Sequence, residues 1–515
     1  MFKYLKSDLP ASIVVFFVAL PLCLGISVAS GAEPITGLIA GIVGGIIVGF
    51  TSGSKIGVSG PAAGLAVIVA AAIGTLGFEN FLVAVVLAGI FQIILGALKL
   101  GIIGYYFPSS VIKGMLTGIG IIIILKEIPF FFGHIEATNK GFGIWDFFQS
   151  LDKIEKSSII VGCISMGILI FWNSILSNKG KIFKIIQGPI VAVIVGVAYY
   201  LITQNGALDI ASKNLVSVPV PDSMSDFFSQ FKTPNFSAIT DPKVLLTAFT
   251  IGLVASLETL LCVEATDKLD PNKNVTPTNR ELFAQGAGNI ISGLIGGLPV
   301  TQVIVRSSAN IQSGGKSKAS AVIHGFLLLI SIITIPHVLN LIPLSVLAAI
   351  LFIVGYKLAK PALFKSMYKL GWQQFVPFMI TVVGIVSLDL LKGIGLGLAV
   401  GIAIILIKSY QNSHFLHKEG ENIDDGKIKM TLAEEVTFFN KAAILKELDE
   451  LPEHTYLELD VRQTRFLDND IIEILDDFRI KAKERFINIK LVSERGIVEN
   501  PDSFISFFKL KKKMI

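Results

Sequence analysis

The chain has 515 residues, 52% of them hydrophobic and 16% charged, with a mean hydropathy of +0.70 and a formal net charge of +5. Such a balance excludes an ordinary water-soluble globule. The excess lysines flank apolar runs and do not alternate with aromatics, which argues against a nucleic-acid partner.

In chain order, MFKYLKSDLP leads into an apolar run without a small-residue cleavage site, so residues 11–29 are expected as a retained helix rather than a signal peptide. A spanning helix needs about 20 mainly apolar residues. Candidates follow at 35–52, 80–100, 109–127, 157–175, 185–203, 243–265, 281–296, 319–336, 340–356, 372–390 and 392–409. Two more segments, 57–76 and 298–312, are apolar but interrupted. The sum is 14 crossings in two groups of seven, with long outer loops at about 128–156 and 204–242. With a cytoplasmic N-terminus, the inner loops receive Lys55, Lys179, Lys181, Lys184, Lys268, Lys273, Arg280, Lys316, Lys318, Lys357, Lys360, Lys365 and Lys369. The positive-inside rule supports that orientation and places the C-terminal region in the cytoplasm. Cys23, Cys163 and Cys262 lie in apolar runs without metal or disulfide spacing, and are expected as packing residues.

The interrupted segments stand third in each group, the correspondence expected of an inverted repeat. In the first, Val58-Ser59-Gly60-Pro61-Ala62-Ala63-Gly64 reads as a short extended piece and then a helix starting at Pro61, since Pro suits a first helical turn. In the second, Leu298-Pro299-Val300-Thr301-Gln302 precedes a helix over Val303-Ile304-Val305-Arg306-Ser307. Two half-helices starting near the midplane would aim free N–H groups and positive dipole ends at a common space, which can hold an anion. The plainer alternative is a pair of ordinary kinks. Arg306, always charged, would add to the dipole from about one turn inside its half-helix, or serve as a structural cation. Glu258, deep in Leu253–Cys262, is a carboxyl able to take up a proton, or a structural partner of Arg306 or of a backbone end. Thr301 and Gln302 are candidate cation ligands or helix caps. His324 and His337 are expected at loops or helix ends.

After Lys408 the chain changes character and most acidic residues appear. Strands are expected at 427–432, 455–461 and 487–492, with helices at 438–450 and 469–484, which makes a small α/β domain. The basic Lys509-Leu510-Lys511-Lys512-Lys513 is either a contact for anionic membrane lipid or a solvated terminus.

The run from Asp8 through Leu20-Pro21 to Ala29-Ser30-Gly31-Ala32, with Val58-Ser59-Gly60-Pro61, Ser256-Leu257-Glu258-Thr259-Leu260-Leu261 and Arg306-Ser307, resembles the SulP family of anion transporters over essentially the whole chain. The resemblance implies an all-α polytopic membrane fold of 7+7 inverted repeats, like uracil transporters, plus a small cytoplasmic α/β STAS domain. It divides residues 1–410 into a core (about 8–100 and 243–336) and a gate (about 109–203 and 340–409), followed by a linker at 411–426 and a STAS domain at 427–515. It also implies a homodimer in the inner or plasma membrane. The anion would lie between Pro61-Ala62-Ala63 and Val303-Ile304-Val305, with Arg306 behind and Leu22 and Ile26 of the first helix closing the pocket. Several animal relatives carry a polar residue and an aromatic in place of Leu22 and Ile26, and an aromatic in place of Ala62, so here backbone amides remain as the main ligands. Sodium-coupled bicarbonate relatives have Asp at 258 and Thr one turn on. This chain has Glu258 and Cys262, which favours a coupled proton over sodium. The phosphorylatable Ser of STAS relatives is replaced within Phe466-Leu467-Asp468-Asn469-Asp470, so Asp468 or Asn469 is expected to cap a helix.

The resulting expectation is secondary active transport of a small inorganic anion, bicarbonate or sulfate, without a cofactor. No GxxxxGK[ST] loop supports a nucleotide-driven pump, and no nucleophile and base stand at enzyme-like spacing. The alternatives are an anion channel or exchanger for chloride or dicarboxylates, and a membrane sensor signalling through its STAS domain.

Overall fold

The computed structural model describes residues 4–102, 108–133, 154–176, 187–221, 223, 229–388, 390–411, 414–419 and 427–509. Two compact units divide at Leu398/Ala399.

The first unit opens with α1 (Leu5–Ala29) and α2 (Pro34–Thr51), the latter loosened by a π-helical stretch at Gly44–Val48. Strand β1 (Ser59–Pro61), helix α3 (Ala66–Leu76, entered through a 3₁₀ turn at Ala63–Leu65) and α4 (Phe78–Ala97) follow. The same five elements recur as α8 (Pro242–Leu269), α9 (Thr278–Leu294), β2 (Val300–Gln302), α10 (Ile304–Gln312) and α11 (Ala319–Thr334). Between them run α5 (Ser109–Phe131), α6 (Lys156–Ser174) and α7 (Gly188–Thr203). After them come α12 (Leu344–Leu358), α13 (Pro361–Lys369), α14 (Trp372–Ser387) and α15 (Leu390–Gln411), whose residues from Ala399 on count with the second unit. Much of the expected loop at 128–156 lies outside the described residues, and α5 continues as far as Phe131.

Packing repeats the order of the elements. Helix α1 lies on α11 as α8 lies on α4, α4 on α9 as α11 on α2, and α1 reaches α10 as α8 reaches α3. The other group follows suit, with α5 against α12 and α14, and α12 against α6. Contact at this range needs small residues: a Cβ on Gly89 would lie 2.6 Å from the Gly286 carbonyl, and one on Gly286 equally close to that of Gly89. Five described helices are long and apolar enough to cross a membrane, namely α1, α2, α4, α8 and the stretch Leu344–Lys369, and five shorter apolar helices accompany them. The fold is mostly helical and of the polytopic membrane type.

The second unit is a mixed sheet in the order β3-β4-β6-β8-β9, from β3 (His414–Glu419), β4 (Lys427–Leu432), β6 (Tyr456–Asp460), β8 (Asn488–Ser493) and β9 (Gly496–Glu499). The three central strands are parallel, with Ile428, Leu457 and Ile489 in register, as are Met430, Leu459 and Leu491. These buried side chains pack with Ile444 and Leu448 of α16 (Lys441–Asp449) and with Ile471, Leu475 and Phe478 of α17 (Asn469–Glu484). The edge strands β3 and β9 were not legible from alternation, nor was the two-residue pair β5 (Glu435–Val436) with β7 (Phe466–Leu467). Asp468 caps α17, accepting from the Asp470 N–H. Of the basic tail, Leu510 onward lies outside the described residues.

Candidate functional site

The two interrupted segments meet. β1 and β2 pair antiparallel, Ser59 opposite Gln302, Gly60 opposite Thr301 and Pro61 opposite Val300. The tie extends into the second half-helix: the Val303 N–H donates to the Val58 carbonyl (3.0 Å), the Val58 N–H to Ser307 Oγ (3.0 Å), and Asn310 Nδ2 to the Ile56 carbonyl (2.8 Å). Asn289 of α9 clamps β2 by donating to and accepting from Val300, while its amide also reaches Gln92 of α4.

The expectation that the first half-helix begins at Pro61 is corrected. Pro61 ends β1, Ala62 is extended (φ −102°, ψ 130°), and helical geometry starts at Ala63. A proline confines the residue before it to extended backbone and, at a strand end, sacrifices no ladder bond. Val303 (φ −123°, ψ 127°) stands likewise before α10. Neither half-helix start has a side-chain cap, so Thr301 and Gln302 are not caps. They are buried strand residues: the Gln302 side chain donates to Thr266 Oγ1 (3.2 Å), and Thr301 Oγ1 is buried without a partner.

Helix α8 contributes one residue to each start. The Glu258 carboxylate stands at the first start, with both its oxygens 2.7 Å from where a Gly64 Cβ would be. One turn on, Cys262 lies beside the second start, near Ile304. Glu258 Oε2 is buried without a hydrogen-bond partner, and among the described residues Glu258 and Arg306 form no ion pair. Arg306 is instead turned into the core, 1% exposed, with Nη2 donating to Cys23 Sγ (3.3 Å) and Nη1 beside Gly60 without an acceptor. A Cβ on Gly60 would collide with that guanidinium. Leu22, Ile26 and Ala62 are buried; Ala63, Val303, Ile304 and Val305 are half-buried. Cys23 is buried, Cys262 half-buried and Cys163 exposed.

His324 is not at a helix end. It lies within α11, fully buried, both ring nitrogens unpartnered, close enough to Arg306 to feel its charge. Glu281, Gln285, Asn289 and Ser292, outside every motif named above, form a completely buried polar stripe along α9. Its spacing of about one turn within an apolar helix was a readable signal. Gln285 donates to Ser59 Oγ (2.8 Å), Ser292 to the Leu298 carbonyl (2.6 Å), and Glu281 accepts from Ser52 Oγ (2.5 Å), so the stripe holds both strands in place. Asp8, cited above only within a motif, accepts from the N–H groups of Lys316 and Ser317 before α11.

The model of the sulfate permease family matches residues 5–381. The chain belongs to that family. Sulfate permease relatives include a putative sulfate transporter, YvdB, of Bacillus subtilis, 25% identical over 97% of this chain and 93% of its own length. The bicarbonate transporter BicA of Synechocystis is 30% identical over 77% of this chain and 69% of its own. Among solved structures, the transmembrane domain of a cyanobacterial BicA aligns with a TM-score of 0.65 at 25% identity, covering 76% of this chain and 98% of that one. The murine anion transporter Slc26a9 in its inward-facing state reaches 0.77 at 16% identity over 95% and 86%, a likeness of fold alone. Family members are transporters rather than enzymes, and this chain is an anion transporter of that family.

Proposed function

We propose that the protein is a secondary active transporter of a small inorganic anion, bicarbonate or sulfate, that works by alternating access. The observation that carries this reading is the antiparallel meeting of β1 and β2, from whose two ends uncapped helix starts leave in opposite directions, both against α8. Such starts present N–H groups and partial positive charge where the bilayer has no water to supply them. The anion lies between Pro61-Ala62-Ala63 and Val303-Ile304-Val305, with Leu22 and Ile26 as its apolar wall and Arg306 as a charge behind. Glu258 carries the coupling proton: it occupies the first helix start when charged and yields that start when neutral. Sodium is the less favoured coupling ion, because Cys262 supplies sulfur where a hard cation wants oxygen. Cys262, Thr301 and Gln302 complete the surroundings of that carboxyl.

In this reading the chain crosses the membrane 14 times in two inverted groups of seven, with both termini cytoplasmic. Residues 8–100 and 243–336 form the core, 109–203 and 340–409 the gate, and 427–515 a STAS domain that serves a homodimer. The repeated packing of the two groups and the parallel centre of the C-terminal sheet support it.

Counterflow in proteoliposomes tests the function, using labelled bicarbonate, sulfate, chloride and succinate with and without sodium or a pH gradient. Saturable bicarbonate or sulfate exchange that responds to the pH gradient is expected, and Glu258→Gln should abolish the response while sparing part of the exchange. Non-saturating flux without counter-ion dependence would instead mark a channel.

A further inference from the structure

From Leu282 to Leu388 the chain contains no acidic residue, yet it carries Arg306 and six lysines, four of them, Lys357, Lys360, Lys365 and Lys369, within or beside the short helix α13. That helix is two-faced. Met367 is buried and Leu363 and Phe364 pack beside it onto Phe378 and Val382 of α14, the Phe364 and Phe378 rings meeting edge-on at 5.2 Å. The opposite face is open: Lys365 and Lys369 on it, and Lys360 just before the helix, are exposed, and aromatic rings flank them, Tyr356 at 54%, Tyr368 at 70% and Trp372 at 57% exposure. No described ion pair takes up Lys360, Lys365 or Lys369.

We infer that α13 with its flanking turns is a docking site for the headgroups of anionic phospholipid, lying in the membrane interface on the same side as the other basic loops. A helix with one apolar face anchored to a transmembrane partner and a lysine face beside tyrosine and tryptophan has the composition of an interfacial element. The long lysine stems follow the apolar surface while the ammonium groups reach the headgroups. An anionic surface supplies the net negative charge that this stretch of sequence lacks, whereas a zwitterionic one offers phosphate without net charge. Because α13 joins α12 to α14, lipid held there fixes one end of both helices. The side of the membrane rests on the topology proposed above, whereas the lipid contact does not require transport.

The test keeps Trp372 as sole tryptophan by replacing Trp145 and Trp172 with Phe, and reconstitutes the full chain with brominated phosphatidylglycerol or brominated phosphatidylcholine. Quenching of Trp372 should be at least about twofold stronger with the anionic lipid. The preference should vanish in Lys360→Gln/Lys365→Gln/Lys369→Gln and persist in the triple Lys→Arg variant. Equal quenching by the two lipids overturns the inference, as does a preference that survives the glutamine variant. Quenching is read without flux, so a failed counterflow assay leaves this result standing, and the reverse also holds.

Discussion

Arg306 shows how far the chemistry of one side chain depends on its neighbours. Its charge is permanent and its burial nearly complete, so the protein must answer the charge with something. Cys23 answers one nitrogen, and Gly60 leaves space for the other. Arg306→Ala should raise the half-saturation concentration of the transported anion roughly tenfold, about 1.4 kcal/mol of binding, and an unchanged value in counterflow would show that the charge is not used. Gly60→Ala should reproduce part of that loss without removing the charge, since a methyl group there displaces the guanidinium. Arg306 and Glu258 are legible in the sequence because charge in an apolar run is conspicuous. The direction Arg306 faces and the interior place of His324 were not legible, because both follow from which helices pack together, which no spacing along the chain records.

Among elements, the paired strands carry the site and α9 carries the strands. Asn289 answers both backbone groups of Val300, so Asn289→Ala leaves a buried donor and acceptor unmet at a cost of about 2 kcal/mol. Thermal unfolding in detergent should register that loss, together with weaker anion binding; an unshifted melting temperature would remove α9 from its supporting role. The presence of both interrupted segments could be read from Gly and Pro. The residue at which strand gives way to helix could not, because Pro61 is as compatible with a strand end as with a first turn. In the C-terminal sheet, Arg462 holds the Asp460 carboxyl down to about 2. A depressed carboxyl contributes stability that is complete above its unfolded value near about 4 and fades as the pH falls toward the folded one. Arg462→Ala should therefore move acid loosening of β6 to higher pH, as read by hydrogen exchange of its amides, and an unaltered profile would show that the pair contributes nothing.

At the scale of the whole molecule, two sets of helices repeat one packing scheme while a separate mixed sheet follows them. The parallel centre of that sheet was legible, since strand and helix periods alternate there; its edge strands were not, being partnered on one side only. If the membrane part alone performs exchange, removing the residues after 420 should leave counterflow measurable, whereas its complete loss would favour a signalling assembly. The proposed function turns on two helix starts, tied to β1 and β2, holding the anion by their backbone. An experimentally determined structure with the anion that supports counterflow tests this most directly. Density is expected within hydrogen-bonding reach of the backbone N–H groups at Ala63 and Val305; an anion bound elsewhere, with those groups left to protein alone, would overturn the proposed site.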